Sequence, residues 1–207
     1  MRTRKGTSPG PLVLRSPAAR IGAWVWLAFA ALNFADLAWR GRDLASLVAA
    51  AVLLTGCGLA YVFGLRPRVV AAPEALELHN PFRTVRIPWP AVRKIEATNA
   101  LVIRYSGPGD TEHTARAWVL QTSPRAQARE QRQIRKQAEN LPPNVAQHVV
   151  KRTSLSHAVE QLTTTAATHA TTPTTTEPTT TWSLPALAAI AVPTALLAIT
   201  ITAAVAT

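Results

Sequence analysis

Cysteine is almost absent from this chain: Cys57 stands alone among 207 residues, which excludes an intrachain disulfide framework and any cysteine-built zinc site. Acidic residues are scarce as well, 11 against 22 Lys and Arg, so paired carboxylates for acid–base chemistry are not evident. The five histidines, His79, His113, His148, His157 and His169, have no metal-ligand spacing, and no HExxH motif occurs. Gly107-Pro108-Gly109 lacks the GxxxxGK[ST] pattern of a phosphate loop and precedes a strand rather than a helix. Aromatics make up only 6% of the residues. Phe82, Trp89, Tyr105 and Trp118 are the aromatics of the central region, too few for an exposed base-stacking platform, so nucleic acid is disfavoured as a partner. No catalytic residue, cofactor or metal is expected.

What the chain does have is hydrophobicity in blocks. Ile21–Trp39 is an apolar run of 19 residues bounded by Arg20 and Arg40. Leu44–Leu65 runs for 22 residues without a charge. At about 1.5 Å per residue, each can cross a hydrocarbon core of roughly 30 Å. Arg40-Gly41-Arg42-Asp43 between them is long enough for a tight helical hairpin and nothing more. Trp24, Trp26, Trp39 and Tyr61 fall towards the ends, at headgroup level. Asp36 lies within the first run but four residues before Arg40, which predicts a paired carboxylate near the surface rather than a proton path. Cys57, inside the second run and away from any base, reads as a packing residue. A third candidate span, Leu184–Val205, is interrupted by Pro185 and Pro193, with Trp182 as an interface anchor; Pro193 is expected to kink it. The competing reading for that segment is a tail lying on the membrane.

Basic residues set the expected orientation. Five precede the first span, two lie in the hairpin loop, fifteen lie between Arg66 and Arg152, and none follows. The positive-inside bias therefore puts the N-terminus and residues 66–152 in the cytoplasm, with the hairpin tip outside. A cleavable signal peptide is the rival for the N-terminus, but the apolar run is longer than a signal core and a second span follows directly. The Thr/Pro-rich stretch from Thr163 to Thr181 resembles a glycosylated extracytoplasmic stalk in composition and argues the other way. The charge distribution is the stronger signal.

Between the spans, residues 66–123 read as about six short strands. Arg68–Ala72 and Ala75–His79 flank the Pro73-Glu74 turn, and Asn80-Pro81 turns the chain into Arg83–Ile87. Pro88-Trp89-Pro90 breaks that strand; Leu101–Tyr105 and Thr114–Gln121 follow around the turn Ser106–Asp110. The expected core is Val85, Ile87, Trp89, Val92, Ile95 and Trp118. Residues 124–140 read as a helix carrying Arg125, Arg129, Arg132 and Lys136 in one stripe, with an apolar seam of Ile134, Ala138 and Leu141 opposite. A weaker helical pattern covers Ser154–Leu162, with Leu155, Val159 and Leu162 spaced by four and three.

The run Arg66–Glu96 resembles the bacterial pleckstrin-homology-like domain of small actinobacterial membrane proteins of the low-molecular-weight protein antigen type. The features that carry the resemblance are Arg66-Pro67-Arg68 directly after a two-helix hairpin, Asn80 with Arg83 in a turn, and Ile87-Pro88-Trp89 followed by Val92 and Ile95. The first hairpin departs from the pattern in having Ala75 where glycine is usual. The resemblance implies a PH-like sandwich capped by a helix and tethered to the inner face of the membrane, without catalytic residues.

The expected fold is membrane α plus a small β domain: a basic cytoplasmic N-terminus (1–20), a two-helix transmembrane hairpin (21–65, as 21–39 and 44–65), a PH-like antiparallel sandwich with a C-terminal helix (66–140), a linker (141–181, Thr/Pro-rich from 163) and a third transmembrane helix (182–207). The expected function is a non-enzymatic interaction or scaffold module at the inner face of a bacterial membrane. Its partners are the lipid bilayer, anionic headgroups, or a membrane or cytosolic protein. Arg125, Arg129, Arg132, Lys136, Arg83 and Arg86 are the candidate lipid contacts, each worth about 1 kcal/mol near an anionic surface; Arg93 and Lys94 add to the same basic character. A solvated face, enriched in arginine for topology alone, is the competing reading of these cations. The functional alternatives are a cell-envelope protein with an extracytoplasmic domain and a glycosylated stalk, or an accessory subunit of a membrane complex.

Overall fold

The computed structural model describes residues 12–97, 100–120, 132, 154–169 and 177–206. These fall into two compact units.

The first unit is the helical one. Helix α1 spans Pro17–Arg40 and starts four residues earlier than the apolar run alone suggests. Ser16 caps it by accepting from the Ala19 N–H, and Pro17 takes the first position, where a missing N–H costs nothing. Asn33 satisfies its own amide by donating to Phe29 O at 2.8 Å, and Asp36 pairs with Arg40 at 3.3 Å, as the i,i+4 spacing predicts. Helix α2, Leu44–Leu59, is capped by the Asp43 carboxylate and passes directly into a π-helical turn, Ala60–Leu65. The last helix of the chain, Leu184–Ala206, continues through Pro193. All three are long and apolar enough to cross a membrane. Phe29, Leu32, Val192 and Ile199 project outward from them, as lipid-facing side chains do.

Small residues make the close approaches in this unit. A Cβ on Gly58 would lie 2.0 Å from the Ala189 carbonyl oxygen, and one on Gly64 would lie 2.5 Å from the Ala23 methyl. Helices in lipid pack by such contacts, because the lipid leaves them no hydrophobic force.

The strands form two β sheets, and most of them belong to the second unit; the last strand, Thr179–Trp182, falls with the helices apart from Thr179. Strands β1 (Leu12–Leu14), β2 (Arg68–Ala71), β3 (Ala75–His79), β4 (Arg83–Pro88) and β8 (Thr179–Trp182) form one sheet in the order β1-β2-β3-β4-β8. Strands β5 (Val92–Ala97), β6 (Leu101–Ser106) and β7 (Glu112–Ala117) form the other. β1 pairs antiparallel with β2, with Val13 opposite Val70. The period of two selects the inward residues: Val69 and Ala71, Leu76 and Leu78, Val85 and Ile87, Leu101 and Ile103, Ala115 and Ala117. Trp89 joins them on the short turn Trp89–Ala91, its indole Nε1 donating to Ala72 O at 2.8 Å. Helix α3, Ser154–His169, covers the core with Leu162, fully buried, and with Val159 and Ala166 beside it. The final apolar helix, Leu184–Ala206, is accordingly α4.

Three expectations change. Trp118 is not core: β7 ends at Ala117, alternation turns the next residue outward, and Trp118 is 45% exposed on a short 3-10 turn. The weak helix expected over Ser154–Leu162 is present and runs on to His169, where Thr163, Thr164 and Thr168 each donate a hydroxyl to the carbonyl four residues before. The N-terminal segment is also more than a basic tail, since Leu12–Leu14 is a strand of the sandwich. The expected helix 124–140 lies outside the described residues, apart from Arg132, which is helical and exposed.

Candidate functional site at the membrane ends of the helices

The turn between β3 and β4 groups with the apolar helices, and its side chains gather around their ends. Asn80 closes the turn through its N–H to Arg83 O, 2.8 Å away. Arg66 follows the π turn, whose last bond is Arg66 N–H to Tyr61 O. Its guanidinium reaches across to the turn, Nη1 to Pro81 O at 2.9 Å and Nη2 to Thr84 Oγ1 at 3.1 Å. His79 Nδ1 lies 3.4 Å from the same hydroxyl. Phe82 meets Phe63 edge to face, with ring centroids 5.8 Å apart. From the other side Ser183 N–H donates to Phe82 O at 2.8 Å, and Trp182 places its ring 4.0 Å beneath the Arg83 guanidinium.

Segments far apart in sequence, 63–66, 79–84 and 181–183, thus meet where α2 ends and α4 begins. An arginine stacked on an indole, one end apolar and the other charged, suits the headgroup layer. The site offers cationic and aromatic surface, and its one hydroxyl described above, Thr84 Oγ1, is engaged by Arg66 and by His79. Among the described residues, no group of three or more His, Cys, Asp or Glu is placed to hold a metal.

The residues nominated from sequence fare differently. Arg83 belongs to this site. Arg86 is tied to Glu74 at 3.0 Å and Glu77 at 3.7 Å, so its charge is compensated. Arg93 pairs with Asp110 at 2.8 Å and Lys94 with Glu96 at 2.7 Å. The Lys94 hydrogen bond holds the Glu96 carboxyl below its ordinary range; loss of solvent opposes it, and the Arg104 charge adds to the lowering. Arg132 is exposed, while Arg125, Arg129 and Lys136 lie outside the described residues. Sequence reasoning missed Arg66, His79 and Thr84. The available signal was Arg66-Pro67, placed immediately after an uncharged run and thus at the membrane boundary.

Residues 66–137 match the family model described as Bacterial PH domain. No curated protein and no solved structure matches the chain. The matched stretch takes in β2 through β7, leaving β1, α3, β8 and the helices α1, α2 and α4 outside it. The chain thus contains a stretch, residues 66–137, that matches a bacterial PH domain, together with three helices long and apolar enough to span a bilayer.

Proposed function

We propose that the chain is a non-enzymatic, membrane-anchored interaction module. Its PH domain lies on the cytoplasmic face and engages a membrane protein or the anionic lipid around it. The observation that carries this reading is the pairing of β1 with β2. β1 runs directly into α1 and β2 follows directly from α2, so two crossings that return the chain to its starting side bring both strands to one sheet. β8, which leads directly into α4, adds to the same sheet and supports the same sidedness. The fifteen basic residues between Arg66 and Arg152 support the cytoplasm as that side.

The partner surface is best sought at the β3–β4 turn. The ion pairs of Arg86, Arg93, Lys94 and Arg104 with nearby acids reduce what those cations offer to a bilayer. Arg83 instead sits over Trp182 at a helix entry.

Topology is tested in a Cys57→Ala background with Asp110→Cys or Arg42→Cys, labelled in intact cells by an impermeant maleimide. The expected result is immediate labelling at position 42 and protection at position 110 until the cells are opened. Labelling at 110 with protection at 42 would put the domain outside and overturn the reading.

A further inference from the structure

The π-helical end of α2 opens a groove against α1. It has a volume of about 460 Å³, within the usual range of ligand pockets, and its walls are almost wholly apolar. Ala19, Ala23 and Trp26 form one wall, and Gly56, Phe63 and Gly64 the other. Two of the glycines there serve packing: a Cβ on Gly56 would strike the Trp26 ring, and one on Gly64 would strike Ala23. Gly22 also lines the groove and differs, since a Cβ there meets nothing within 4 Å. Its position opens onto free space rather than onto another helix.

Depth and charge identify an occupant. Ala19 and Gly64 lie at the helix ends, at headgroup level. Trp26 lies two turns further in, roughly 10 Å at about 1.5 Å per residue, deeper than the headgroup level expected of it from sequence, because α1 begins at Pro17 rather than Ile21. The groove therefore starts at the polar boundary and runs into hydrocarbon. At its outer end Arg15 and Arg20 are exposed, and Arg20, three residues before Ala23, shares that side of α1. No acidic residue precedes Asp36, and none occurs between Leu44 and Pro73. Positive charge at the rim and an apolar channel below complement an anionic amphiphile.

We propose that this groove holds one acyl chain of an anionic phospholipid, its phosphodiester head beside Arg15 and Arg20, in the leaflet where α1 begins. The proposal rests on reading α1 and α2 as membrane spans, and it holds whichever face of the membrane the domain occupies. The maleimide experiment therefore fails or succeeds independently of it.

The test is native mass spectrometry of the full chain released from nanodiscs that contain equal phosphatidylglycerol and phosphatidylcholine. The wild-type protein is expected to retain one phosphatidylglycerol in preference to phosphatidylcholine. Gly22→Leu fills the open side of the groove and should lose the retained lipid, whereas Gly22→Ala should keep it. Arg20→Ala leaves the groove intact and should reduce the preference for the anionic lipid about fivefold, the share of one cation near a headgroup. This second variant decides the matter if the leucine variant fails to fold. Equal retention of both lipids by the wild type, or unchanged selectivity in Arg20→Ala, would overturn the proposal. So would a Gly22→Leu protein that still holds the lipid, or one whose only change is from dimer to monomer, which would make a second copy of the chain the occupant.

Discussion

Trp89 concentrates two roles in one side chain. It is 2% exposed in the sandwich core, and its Nε1 supplies the donor for Ala72 O. Trp89→Ala should destabilise the domain by about 3–5 kcal/mol. Trp89→Phe keeps most of the apolar volume but orphans the carbonyl, for about 1–3 kcal/mol. Denaturant unfolding of the detergent-solubilised chain, followed by the loss of β-sheet signal, measures both. Glu96 carries the pH dependence. Lys94 and Arg104 hold its carboxyl below the ordinary value near 4.5, so its contribution is complete above that value and disappears as pH falls through the lowered one. Glu96→Gln should therefore flatten the fall in stability as the pH drops below 4.5. Part of the core was legible from alternation, since Val85, Ile87 and Trp89 are buried as their pattern implies, while Leu76, Leu78, Leu101 and Ile103 were not among the nominated core residues. Val92 and Ile95 are three apart, which a regular strand would place on opposite faces. A register shift between Val92 and Lys94 lets both pack against the core and sends Arg93 outward to Ser106 and Asp110. A bulge of this kind leaves no mark in periodicity, and Trp118 was misjudged because alternation also cannot say where a strand stops.

At the level of elements, the meeting of α2 and α4 depends on a pair of special residues. Pro193 has no N–H to offer, so the Ala189 carbonyl, four residues earlier, loses its usual intrahelical donor. That oxygen is the atom against which Gly58 packs. Gly58→Ala should cost about 1–3 kcal/mol, because backbone rather than a flexible side chain must give way. The expected result is a lower midpoint for thermal unfolding of the helices in detergent, with the β-sheet signal at low temperature unchanged. An unchanged midpoint would show that the two helices do not meet there. The existence of α1, α2 and α4 was plain from length and hydrophobicity, but this contact was not, because the expected effect of Pro193 was a kink rather than a site of approach. Helix α3 was read only as far as Leu162. Threonine is a weak helix former, and the packing of Ala166 against the core, one turn beyond Leu162, accounts for the helix reaching His169.

For the whole molecule, the sequence revealed the order of its materials more readily than their closure. The hairpin, the strand-rich region and the third span all follow from where apolar residues cluster. The functional cluster was harder to see, because Arg66, Thr84 and Trp182 are distant in sequence and only the turn between β3 and β4 joins them. The pairing of β1 with β2 was invisible for the same reason: Leu12–Leu14 is three residues of ordinary apolar character, separated from its partner by two membrane helices. That separation has a consequence during synthesis. The first strand leaves the ribosome long before the second, and the two helices between them must fold back on each other before the strands can pair. Until they do, β2 presents an open edge. Completion of the five-stranded sheet is thus tied to the path of the helical hairpin, because the strand on one side of that hairpin is the edge on which the strand from the other side closes.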